Sequence, residues 1–155
     1  MWSNSMLEER ELRELIARKA RELYLLRRGD SEGKCPKEPL PVDSKALSEI
    51  LARCDVVLAD FWAPWCGACR LAERVVEAIA KKYGGRVAVV KVNIDENPDL
   101  AQAYAVTSIP TLILFYKGRE YRRFVGFHPL LGARVAAEIE RLLGQTRGFS
   151  SPLRP

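Results

Sequence analysis

A chain of 155 residues, 48% of them hydrophobic, is long enough for one domain with a real core and some additional chain. Charged residues of both signs make up 29% and the formal net charge is +5. The short basic pairs Arg27-Arg28, Lys81-Lys82 and Arg122-Arg123 lack the clustering of a nucleic-acid footprint and read as solvated faces or helix ends.

From Leu7 to Arg28, Leu12, Ile16, Leu23 and Leu26 recur at helical spacing with Leu15 and Ala20 beside them, and Glu9–Arg13 and Glu14–Arg18 are favourable i,i+4 pairs. An amphipathic helix is expected, ended by Gly29-Asp30, with a proline-rich linker after it. Residues 1–34 thus read as an extension, 35–144 as the main domain and 145–155 as a flexible tail. Leu40-Pro41-Val42 reads as a short strand, whose proline confines it to a sheet edge or a strand end. Asp43 or Ser44 caps a helix with Leu47, Ile50 and Leu51 on one face. The apolar run Val56 to Phe61 is a strand buried on both faces. A helix follows to about Tyr83, with Leu71, Val75, Val76 and Ile79 inward and Gly84-Gly85 as its stop.

Val87 to Ile94 is another buried strand, interrupted by Lys91. Asn97-Pro98 opens a short helix. Thr111–Tyr116 and Glu120–Val125 flank Lys117-Gly118 as a hairpin. The last helix runs from Leu130 to Leu143, with Leu131, Val135, Ile139 and Leu142 inward and Gly144 as its stop. This order gives an α/β fold, a mixed sheet of four to five strands with helices on both faces. No apolar run reaches the ~20 residues a spanning helix needs, and the charged N-terminal segment lacks a signal-peptide core. A cytoplasmic protein without a membrane span is therefore expected.

The cysteines are Cys35, Cys54, Cys66 and Cys69. One close pair, two distant single cysteines and the lone His128 do not make a tetrahedral zinc site, so no metal is expected. A lone C-x-x-C in a βαβ setting reads as redox chemistry. Cys66 falls at a helix N-terminus, where free N–H groups and the dipole favour a thiolate. Cys69 lies one turn further in, more buried and less ionised. Cys66 is thus the attacking thiol and Cys69 the resolving one. Asp60 is a carboxylate inside an apolar strand, and burial should raise its pKa.

The segment Asp60-Phe61-Trp62-Ala63-Pro64-Trp65-Cys66-Gly67-Ala68-Cys69 resembles the active-site segment of the thioredoxin family. Lys91-Val92-Asn93-Ile94-Asp95, Ile109-Pro110-Thr111, Lys117-Gly118 and Val125-Gly126 match in the same order, over roughly Pro39 to Leu143. The resemblance implies a thioredoxin fold with an added N-terminal helix, and reduction of protein disulfides by dithiol–disulfide exchange. It implies Asp60 as the base for Cys69, Lys91 as the partner of Asp60, and a cis bond before Pro110. It implies a docking surface of Trp65, Gly67, Ala68, Ile109, Pro110 and Gly126, with Trp62 either part of that surface or only core.

No cofactor beyond the cysteine pair is expected, and thioredoxin reductase or an equivalent enzyme would regenerate the dithiol in electron transport for cell redox homeostasis.

Ala68 departs from the family, which commonly has proline there; this leaves open a higher-potential oxidase or isomerase. A redox-idle binding scaffold is a further alternative. The N-terminal helix packs on the domain, mediates partner docking or weak dimerisation, or stands loose. Cys35 and Cys54 read either as a structural disulfide or as two free thiols; a disulfide, with the abundant Arg and Glu, would point weakly to an archaeal or thermophilic source.

Overall fold

The computed structural model describes residues 2–26 and 35–146, with side chains over 8–23 and 35–145. The expected helix stop at Gly29-Asp30, the first part of the linker (31–34), Arg27-Arg28 and the tail beyond Thr146 lie outside the described residues. The elements are α1 (Trp2–Leu26), β1 (Leu40–Pro41), α2 (Ser44–Arg53), β2 (Val56–Trp62), α3 (Gly67–Tyr83), β3 (Val87–Asn93), α4 (Pro98–Ala103), β4 (Thr111–Tyr116), β5 (Arg119–Val125) and α5 (Leu131–Thr146).

The strands form one mixed sheet in the order β1-β3-β2-β4-β5. β1 and β2 run parallel to β3, while β4 is antiparallel to both β2 and β5. Alternation along β2 divides the core. Val57, Ala59 and Phe61 join Ala88, Val90 and Val92 under α1, α2 and α4. Val56 and Leu58 join Val87 and Val89 under α3 and α5. Side chains on even positions of β2 and odd positions of β3 therefore point to the α3 face. Asp60 and Lys91 share that parity and are in-register neighbours.

Local chemistry accounts for most boundaries. Asp43 caps α2, its Oδ1 accepting the Ala46 N–H at 2.9 Å. Lys117 and Gly118 both take positive φ, 51° and 85°, as a tight hairpin turn requires. Gly84 closes α3 at a point where a Cβ would lie 2.7 Å from the Ala80 carbonyl and 2.8 Å from that of Lys37.

Three expectations are corrected. Leu71 is 46% exposed, because the buried stripe of α3 runs Cys69, Ala72, Val76, Ile79, Ala80 and Tyr83, and steps of four and seven back from Val76 miss it. Gly144 does not end α5, which continues to Thr146; Leu142 and Leu143 are both buried and hold the last turn, outweighing a glycine cost of about 1 kcal/mol. The same helix begins at Leu131, leaving Leu130 exposed.

α1 lies on the domain. Ile16 and Ala20 are buried, and Leu12 and Leu23 pack against the same core. Arg13 donates to Glu120 of β5 at 2.9 Å and sits over the Tyr104 ring. Leu15 is half-exposed on the other side of the helix. Cys35 and Cys54 form a disulfide, linking the segment before β1 to the C-cap of α2. Among the described residues no helix is long and apolar enough to cross a membrane.

Candidate active site

β2 is apolar but for Asp60 as far as Trp62, and the chain then turns through Ala63-Pro64-Trp65 into α3. The Cys66 N–H donates to the Ala63 carbonyl at 3.2 Å, which sets Cys66 as the N-cap of α3. Its Sγ accepts the Cys69 N–H at 3.1 Å. A sulfur therefore occupies the place of the usual capping oxygen, at the positive end of the helix. Cys66 and Cys69 are joined as a disulfide with Cα atoms 5.3 Å apart. Both are largely buried, Cys69 more than Cys66. Gly67 and Ala68 are exposed between them.

Trp65 is 69% exposed, held by its indole N–H, which donates to Asp95 Oδ2 at 3.1 Å. Behind the cysteines lies a cleft of about 330 Å3 whose walls include Asp60, Trp62, Cys66, Cys69, Glu73 and Lys91. Asp60 is 1% exposed, and neither carboxylate oxygen has a hydrogen-bond partner among the described residues. Burial pushes its pKa up to about 7; Lys91 pulls against this and Glu73 adds to it.

Lys91 departs from its expected role. It stands beside Asp60 in register and lowers its pKa, but its Nζ bonds to Glu73 Oε2 at 2.8 Å. The same ammonium lies 4.8 Å from the centre of the Trp62 ring, so Trp62 is a wall of the cleft as well as strand core. The Asp60–Lys91 pair is thus a neighbour relation, while the ion pair belongs to Glu73.

The peptide before Pro110 is cis. β4 runs antiparallel to β2 with Thr111 opposite Phe61, so Ile109 and Pro110 sit beside the end of β2 from which the Cys66 turn departs. The Thr111 hydroxyl donates to the Ser108 carbonyl at 2.7 Å and closes the loop. Gly126, at φ 82°, donates its N–H to the Pro110 carbonyl at 2.8 Å. Ile109, Pro110 and Gly126 form a second cluster at this sheet end, outside the cleft walls.

Glu73 escaped the reading of the sequence, and Asp95 entered it only as the end of the matched segment from Lys91, with no role. Glu73 stands four residues after Cys69 on α3, a spacing that places both on one helix face. Asp95 gave no signal beyond its place after β3. Among the described residues no group of three or more His, Cys, Asp or Glu is placed to hold a metal ion.

Residues 39–138 match the family model for thioredoxin. Thioredoxin 1 of Nostoc sp. is 49% identical over 87 residues, 56% of this chain and 81% of that protein. The thioredoxin of Synechocystis sp. is 47% identical over 87 residues, 56% of this chain and 79% of that protein. Among solved structures, a mutant thioredoxin from Halobacterium salinarum superposes with a TM-score of 0.62 at 39% identity, covering 70% of this chain and 93% of that one.

Proposed function

The chain belongs to the thioredoxin family, as a thiol–disulfide oxidoreductase that reduces protein disulfides, and we propose how its own residues divide that work. The Cys66 thiolate attacks one sulfur of a partner's disulfide. A mixed disulfide forms and the partner's first thiolate leaves. The Cys69 thiol then gives its proton to Asp60 and attacks the Cys66 sulfur, releasing the partner's second thiolate. The partner ends as a dithiol and this chain as the Cys66–Cys69 disulfide. Two electrons pass from this chain to the partner, and the partner's thiolates take up protons.

One observation carries the division of roles. Cys66 caps the helix, whereas the carboxylate behind the pair is buried, unpartnered and poised near neutrality. A base with a pKa near the working pH is suited to take a proton from a thiol and later release it. Lys91 tunes that base. Trp65, Gly67, Ala68, Ile109, Pro110 and Gly126 form the rim on which an extended substrate segment docks.

A separate disulfide reductase returns the pair to the dithiol, and no further cofactor takes part. The chain works in the cytoplasm, and as a monomer, since Leu12, Ile16, Ala20 and Leu23 of α1 pack on its own domain. Residues 35–144 carry the exchange chemistry, and the extension reinforces them.

The test is a trap. Cys66→Ser should abolish dithiothreitol-driven insulin reduction, and Cys69→Ser should accumulate partners in mixed disulfides at Cys66, visible on non-reducing gels. Full insulin reduction by Cys69→Ser would overturn the assignment. The redox potential of the wild type settles the consequence of Ala68: a value well above that of thioredoxins would favour oxidation or isomerisation.

A further inference from the structure

The cleft behind the cysteines holds a carboxylate that the exchange steps do not use. Glu73 projects from α3 one turn beyond Cys69 and lines the same walls as Asp60 and Lys91. Asp60 and Lys91 are in-register neighbours on adjacent parallel strands, on one sheet face. Strands lie about 4.8 Å apart, so a lysine there can reach the neighbouring carboxylate. It does not do so here. The Lys91 ammonium bonds to Glu73 at 2.8 Å over the Trp62 ring, and both Asp60 oxygens stay unpartnered.

We propose that Glu73 is a positioning residue, which draws the Lys91 ammonium out of hydrogen-bond reach of Asp60 and so leaves that carboxylate free to take the Cys69 proton. This rests on Asp60 being the proton acceptor, and adds what governs it. The charged and titratable groups around Asp60 are few. Lys91 faces it from β3, Glu73, Cys66, Cys69 and Arg70 line the cleft from α3 and its cap, and β4 presents apolar Leu112 opposite it. Among these groups, as far as the described residues go, Glu73 is the one that forms an ion pair with the lysine. The pair is partly open to water, with the Lys91 side chain 17% exposed and that of Glu73 43% exposed, so it adds little to stability but sets where the ammonium sits. Removing the Glu73 charge should therefore release Lys91 to the buried carboxylate. It also removes a negative charge from the cleft. Both changes favour the ionised form of Asp60.

The experiment follows the Asp60 carboxyl carbon by NMR across pH in the reduced protein. It compares wild type, Glu73→Gln, Glu73→Ala, Lys91→Met and the Glu73→Gln/Lys91→Met double variant. Glu73 is on an open helix face, where glutamine and alanine are both good helix formers, so these variants keep the fold. In Glu73→Gln and Glu73→Ala the Asp60 titration should fall by about one pH unit. In the Lys91→Met background the same glutamine substitution should move it by less than half as much, because no ammonium remains to be released. An unmoved or raised titration in Glu73→Gln would overturn the proposal. So would an equal shift with and without Lys91, which would leave only a direct charge effect. The pH profile of insulin reduction separates this from the assignment beneath it. If the Asp60 titration moves while the rate profile stays, Glu73 positions Lys91 as stated and the base role of Asp60 is what fails.

Discussion

Asp60 is expensive to keep. A carboxylate sealed between β3 and β4 loses its hydration, and no hydrogen bond from the described residues replaces it. The cost has a definite pH signature. In the unfolded chain the carboxyl titrates near 3.8, whereas in the folded chain it is pushed up to about 7. Below 3.8 both states hold the proton and nothing is lost. As pH rises towards 7 the unfolded chain releases its proton first, so folding stability falls, and above 7 the full penalty applies. A shift of this size is on the order of 4 kcal/mol as an upper bound. Asp60→Asn should therefore gain on the wild type by a few kcal/mol between pH 4 and pH 8, read from urea melts at both ends. Comparing the two pH values cancels the fixed cost of burying an amide, about 1–3 kcal/mol. The same variant should slow insulin reduction at neutral pH. A wild-type stability that stayed flat from pH 4 to pH 8 would show that the carboxyl titrates normally.

Elements were legible where one physical signal dominated. The near-continuous apolar run of β2 and the Lys117-Gly118 turn each left a single local choice, and of the two cap candidates Asp43 and Ser44 the structure takes Asp43. Leu71 and Gly144 misled because burial is set by which face of a helix meets the sheet, and composition alone does not give that angle. Both active cysteines and Asp60 were legible from one segment. The Lys91–Glu73 bond was not, since a lysine between two carboxylates chooses by side-chain reach and solvent access. The fate of α1 also lay beyond the sequence: an amphipathic helix advertises an apolar face without naming what covers it. Here α2 and the sheet cover it, and the Cys35–Cys54 disulfide fastens Cys35, ahead of β1, beside that contact. Closing a loop of this length removes unfolded-state entropy worth about 3 kcal/mol. Cys35→Ser should thus lower oxidised-state stability by about that amount in urea melts. Substituting the partly buried Cys35 rather than the fully buried Cys54 keeps packing loss smaller. An unchanged midpoint would mean that the bridge contributes nothing to stability.

At the scale of the whole molecule, β2 separates two disulfides of opposite purpose. Cys54 precedes its first residue and Cys66 follows its last, so the pairs lie about 20 Å apart at opposite sheet ends. Linkage makes their redox behaviour unequal. A disulfide that stabilises the fold is stabilised by the fold to the same extent, and about 3 kcal/mol corresponds to ~60 mV for a two-electron couple. Folding therefore drives the Cys35–Cys54 couple to a more negative potential. At the other end the N-terminus of α3 favours the Cys66 thiolate, which stabilises the reduced form and moves that couple in the opposite direction. Equilibration in dithiothreitol buffers of decreasing potential, followed by alkylation and mass analysis, should thus show two steps. Cys66 and Cys69 are labelled first, and Cys35 and Cys54 only at more reducing potentials. In that window the molecule cycles its active pair while the bridge stays closed, so turnover leaves the tie between Cys35 and the end of α2 untouched. Simultaneous labelling of all four cysteines, or labelling of Cys35 and Cys54 first, would make the second bridge part of the redox cycle instead of part of the scaffold.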